Sequence, residues 1–128
     1  YEDLAEWRHK GEIWRKTMLP VMYDNLRRFH AAGGILALGD DYGGVPKMPV
    51  GLPMSELLHW RAAGLSPQQI IEASTRGSAR AIGRSDELGT VEVGKIADLL
   101  VVRGNPLRDL RALAKPLLVV HNGQIVEP

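Results

Sequence analysis

Two adjacent carboxylates, Asp40 and Asp41, close a short apolar run, Ile35-Leu36-Ala37-Leu38-Gly39, and open onto Tyr42-Gly43-Gly44. In an extended chain successive side chains point to opposite sides. The two acids therefore face different surroundings, and a one-residue slip in register would exchange them. By residue type alone, an Asp beside Gly is more often a loop or helix cap than a reactive group. The other candidates are weaker. Four histidines, His9, His30, His59 and His121, form neither an H-x-H nor an H-E-x-x-H pattern, and each reads as structural or solvated. There is no Cys, which excludes disulfides, thiolate zinc sites and cysteine nucleophiles. Ser66 precedes Pro67 and lies three residues before Gln69, the pattern of a helix cap; no His and Asp accompany it in a nucleophile's arrangement.

The chain has 128 residues and a formal net charge of +1. Acids and bases are evenly spread, eight and eight in residues 1–64, seven and eight in residues 65–128. No basic stripe points to nucleic acid or to an anionic membrane, and no apolar run approaches the roughly 18–20 residues of a membrane span. The sequence starts at Tyr1, which leaves open a lost N-terminal signal. Cytoplasm is the favoured location.

The elements that must position these residues can be read from periodicity. Leu4, Trp7, Gly11, Trp14 and Met18 share one face of a predicted helix over 2–18, and its two Trp predict burial. Pro20 predicts a break, followed by a helix over 21–32 that stops at Gly33-Gly34. The run 35–38 predicts a strand buried on both faces, as in a parallel sheet. After an irregular loop, helices are predicted over 54–63, from Ser66, and over 76–82 with Thr75 as cap. The remainder is mostly β: Ile96–Val102, a short helix near Leu107–Leu113, Leu117–Val120, and an Asn122-Gly123 hairpin turn before Gln124–Val126. Trp7 and Trp14 read as core or interface, and Asp98 as an acid that bonds backbone N–H groups. A single parallel strand cannot satisfy its own backbone. The pattern therefore reads as the end of a larger α/β protein.

These motifs, taken in order, resemble the C-terminal part of the metal-dependent amidohydrolases. Ile35 through Gly43 resembles the last barrel strand, which in that family typically ends Gly-Thr-Asp-x-Gly. Glu56–Pro67, Ile70–Arg76 and Ala79–Gly83 resemble the helices after that strand, and Leu88–Val102, Asn105-Pro106-Leu107 and Val119–Gly123 the return to a small β-sandwich. The nearest resemblance is to the imidazolonepropionase and Xaa-Pro dipeptidase-like branch. It implies an α/β fold: residues 1–87 as the end of a (β/α)8 barrel, with its last strand about 35–39, and residues 88–128 as sandwich strands.

The resemblance also implies chemistry. Asp41 matches the family's metal ligand and proton shuttle in hydrolysis of amide, cyclic amide or peptide C–N bonds. The cofactor would be a divalent metal, zinc in one or two ions, with most ligands, the family's histidines among them, outside this sequence. Tyr42 and Gly43 would begin a substrate-lining loop that meets a small-molecule or peptide substrate. Asp40 departs from the family's Thr or Ser. Two alternatives stay open: a non-catalytic scaffold of the same fold, and an aminated-ring deaminase. An unfinished barrel edge predicts association, with another copy or with an N-terminal part.

Overall fold

The structure, a computed structural model, describes residues 4–39 and 51–126. Helix α1 (Leu4–Ala31) is followed after an extended segment by α2 (Met54–Ala62) and α3 (Pro67–Glu72). A π-helical turn, Ala73–Gly77, leads directly into α4 (Ser78–Ala81). Strands β1 (Leu99–Val102), β2 (Pro116–His121) and β3 (Gln124–Val126) form an antiparallel sheet in the order β1-β2-β3, with a 3-10 turn at Leu110–Ala114 between β1 and β2.

Local sequence explains most of the boundaries. The Ser66 Oγ accepts from the Gln69 N–H, and the Ser66 N–H donates to Gln69 Oε1, so the predicted capping box opens α3 with Pro67 in its first turn. α1 ends as its Gly33-Gly34 pair dictates. Gly33 has φ +82°, its N–H donates to the His30 carbonyl, and the Gly34 N–H reaches back to the Phe29 carbonyl. That is the two-bond Schellman closure, repeated after α2 and α4. Asn122 (φ 50°) and Gly123 (φ 76°) both take positive φ between His121 and Gln124, the two-residue hairpin read from the sequence. Pro116 starts β2, and the pairing with β1 shifts register between Val101 and Val102, an irregularity at the strand end where proline is tolerated.

Expectations are corrected at Pro20, at Thr75 and along the α1 stripe. Pro20 does not end a helix: α1 runs through it. Its φ is already helical and it forfeits one donor, while Tyr23 and Leu26, beyond it, pack on the core. Thr75 caps nothing. Its Oγ1 donates to the Ile71 carbonyl within a continuous helical stretch. In the apolar stripe of α1, Trp14 is 46% and Met18 49% exposed, since among the described residues α2 covers that face only in part; the side chains of Leu4 and Trp7 lie outside the description.

The core is small. Leu57, Trp60, Ala63, Leu65, Ile70, Ala73 and Leu110 form one buried cluster, joining α2, α3 and the 3-10 turn. Residues 34–39 are not paired into a sheet. Burial alternates along them: Leu36 and Leu38 pack on this cluster while Ile35, Ala37 and Gly39 are exposed. One face is covered, not two, since among the described residues only helices lie against it.

Candidate functional site

The segment 35–39 is fixed to the helical layer by two consecutive small residues. At Gly77 the helix comes so close that an added Cβ would lie 2.0 Å from the Leu36 carbonyl oxygen. One residue later, Ser78 Oγ accepts from the Leu38 N–H at 3.0 Å and lies 3.2 Å from both the Leu38 and the Ala73 carbonyl oxygens. A hydroxyl has one proton, so its donation is shared between those carbonyls. Leu36 and Leu38 are two apart, as an extended strand requires for residues on one side.

Asp41, Tyr42 and Gly43, the sequence's candidate catalytic, metal-binding and substrate-binding residues, lie outside the described residues, as does Asp40. The histidines are accounted for otherwise. His59 Nδ1 is 2.6 Å from Tyr23 Oη, joining α2 to α1. His121 Nδ1 and the Asn122 N–H both reach Asp98 Oδ1, at 3.1 and 2.7 Å. Asp98 thus bonds a backbone N–H, as expected of it, and secures the β2–β3 turn. His9 is exposed and His30 half-buried. Among the described residues no three His, Cys, Asp or Glu stand together as a metal group, so these residues alone do not compose a metal centre.

A cleft of about 640 Å³ opens beside Gly34, Ile35 and Leu36. It lies at the start of the extended segment, whereas Asp41 comes after its other end. Glu72 holds Arg76 at 3.2 Å across this wall. Lys95 is only 15% exposed and donates to the Ser85 carbonyl at 2.8 Å and to Thr90 Oγ1, stapling the loop that forms the far wall. These polar groups serve the fold.

Gly77 and Ser78 do not stand out in the sequence as functional. The signal that marks them is a glycine inside an otherwise helical pattern, which points to close backbone approach.

Residues 15–126 match the family model described as Amidohydrolase family. Among curated proteins, the chain is similar to the imidazolonepropionase of Symbiobacterium thermophilum, 35% identical over 85 residues, covering 66% of this chain and 20% of the relative. Among solved structures, it is similar to a Bifidobacterium longum protein assigned as a prolidase, at TM-score 0.76 and 41% identity over 84% of this chain and 26% of that one. It is also similar to a Xaa-Pro dipeptidase with bound methionine, at TM-score 0.74 and 29% identity over 85% and 26%. The chain spans about a fifth to a quarter of the length of these relatives.

Proposed function

We propose, because the chain belongs to the amidohydrolase family, that it is the closing part of a hydrolase of C–N bonds in amides, cyclic amides or peptides. The observation that carries this reading is the family match itself, whose span, residues 15–126, includes Gly39-Asp40-Asp41-Tyr42-Gly43. Residues 1–87 would complete a barrel and residues 88–128 contribute to a sandwich. Leu36 and Leu38 turn toward the helices and Ile35, Ala37 and Gly39 away.

On this reading Asp41 binds a divalent ion, zinc, together with ligands from beyond these 128 residues. Such an ion would supply Lewis-acid polarisation of the scissile carbonyl and a more acidic water. The Asp41 carboxylate oxygen accepts the proton of the attacking water and passes it to the leaving nitrogen. Tyr42 and Gly43 flank the substrate. The named relatives suggest two substrates to assay, imidazolonepropionate and an Xaa-Pro dipeptide. A second reading, a non-catalytic scaffold, is favoured by one observation: Asp40 stands where the family has Thr or Ser.

The test is Asp41→Asn in the intact protein. Loss of a proton-transfer group costs about 10²–10⁴-fold in turnover, and we expect a loss of that order, with zinc content reduced and circular dichroism unchanged. Turnover equal to wild type would reject Asp41. An intact protein that hydrolyses neither substrate and holds no zinc would favour the scaffold.

A further inference from the structure

We propose that Asn122-Gly123 is a site of spontaneous deamidation, a self-modification of the main chain, which the native hairpin holds shut with Asp98 as its latch. The inference uses the β region alone and does not depend on the assignment of Asp41.

An amide side chain followed by glycine carries its own reaction. The Gly123 nitrogen gives up its proton to solvent base and bonds to Asn122 Cγ. The Cγ–Nδ2 bond breaks, and Nδ2 takes up a proton and leaves as ammonia. Water then opens the resulting cyclic imide at one of its two carbonyls, leaving aspartate or isoaspartate. Glycine suits the step because it has no side chain to obstruct ring closure. Both residues are exposed, so water and base reach them.

The folded turn opposes ring closure. For attack, the Gly123 nitrogen must come to eclipse Cβ across the Asn122 Cα–C bond. Instead Asn122 (φ 50°) and Gly123 (φ 76°) form a two-residue turn with both φ positive, the type I′ pattern. Its first residue has ψ of about +30°, which in an L-residue holds the following nitrogen nearly opposite Cβ. The turn is tied down on both sides of that bond. Asp98 Oδ1 accepts from the Asn122 N–H at 2.7 Å and lies 3.1 Å from His121 Nδ1. The Gly123 N–H, the group that must react, donates to the Ala97 carbonyl at 3.0 Å. The two N–H groups flank the bond that must rotate, so ψ cannot turn while both hydrogen bonds hold. A carboxylate makes the stronger tie, and Asp98 is therefore the latch.

The change would be one-way. It sets a new carboxylate beside that of Asp98, and like charges disfavour each other. Isoaspartate also adds a carbon to the main chain, which a two-residue turn has no room for. Each opening of the hairpin exposes the site, and each product keeps it open.

The test follows deamidation at Asn122 in the intact protein by peptide mass mapping, with circular dichroism as the check on folding. Native wild type should react at least about 10-fold more slowly than the same protein unfolded in urea. Asp98→Ala should speed the native reaction by about 10–100-fold, the equilibrium worth of a hydrogen bond to a charged acceptor. Asp98→Asn, which keeps an acceptor for the Asn122 N–H, should be slower than Asp98→Ala. Equal rates in native and unfolded wild type, equal rates in wild type and folded Asp98→Ala, or Asp98→Asn no slower than Asp98→Ala would overturn the proposal. If Asp98→Ala does not fold, wild type in graded urea decides. Deamidation that rises before the far-ultraviolet signal is lost supports a local latch; deamidation that rises only with global unfolding overturns it.

Discussion

Gly77 and Gly11 both sit within helical stretches, yet the same substitution should have opposite effects at the two. At Gly77 an added methyl would lie 2.0 Å from the Leu36 carbonyl oxygen and 3.2 Å from its carbon. Both are backbone atoms, so neither partner can rotate aside. Relief requires moving the helix from segment 35–39, which also breaks the Ser78 hydrogen bonds to Leu38. We expect Gly77→Ala to destabilise by at least about 2 kcal/mol, in the range of overpacked cores. At Gly11 nothing lies within 4 Å of an added Cβ, and alanine there should gain about 0.5–1 kcal/mol through helix propensity. Urea unfolding of both variants checks the pair; equal effects would remove Gly77 from its role. The sequence shows two glycines in helical patterns and no difference between them. The difference lies in what faces each one across the fold, and residue spacing carries no record of that. Asp98 was legible because an acid, its hairpin and the backbone donor it satisfies are all local features of the β segment.

Elements were legible where their ends are decided locally. The Ser66 capping box, the glycine stops and the Asn122-Gly123 turn are each set by a few neighbouring residues. They form as the sequence indicates. Elements decided by distant packing were not. The π turn at Ala73–Gly77 has Ser74, Thr75 and Ser78 hydroxyls all returned to main-chain carbonyls, and its purpose is a contact with Leu36 and Leu38. Pro20 is the same lesson in α1. Proline normally ends a helix, but here 11 residues of helix lie beyond it, held by Tyr23 and Leu26 on the core. That continuity has a cost, since proline inside a helix is about 3 kcal/mol worse than alanine and leaves one carbonyl without its donor. Pro20→Ala should therefore stabilise α1 by about 1–3 kcal/mol. A higher midpoint in thermal unfolding followed by far-ultraviolet circular dichroism checks it; a lower midpoint would mean that Pro20 itself contributes to packing.

At the scale of the whole molecule, surface area is the informative quantity. The chain exposes 9841 Å². A folded monomer of its mass, 14.1 kDa, exposes about 6,700 Å². The difference, roughly 3,100 Å², lies on one partner alone and exceeds the roughly 800 Å² per partner of a standard interface, and the described surface is rich in exposed apolar side chains. Ile13, Trp14, Met18, Val21 and Met22 lie open on α1, Ile35 on the extended segment, and Leu99, Leu100 and Leu117 on the sheet. Val91 and Val93 are more exposed still, on the loop before β1. β1 and β3 each leave an edge without a partner among the described residues, and such edges recruit strands. The expected outcome is that the 128-residue chain by itself does not stay a monomer. Sedimentation velocity at micromolar concentration should show species heavier than 14.1 kDa, increasing with concentration and dissociating in mild denaturant. Adding a separately made N-terminal part of the same protein should replace these species with one defined complex. A chain that sediments as a stable monomer across the whole concentration range would show that this open surface tolerates water, and the barrel-completing role proposed for residues 1–87 would lose its physical basis.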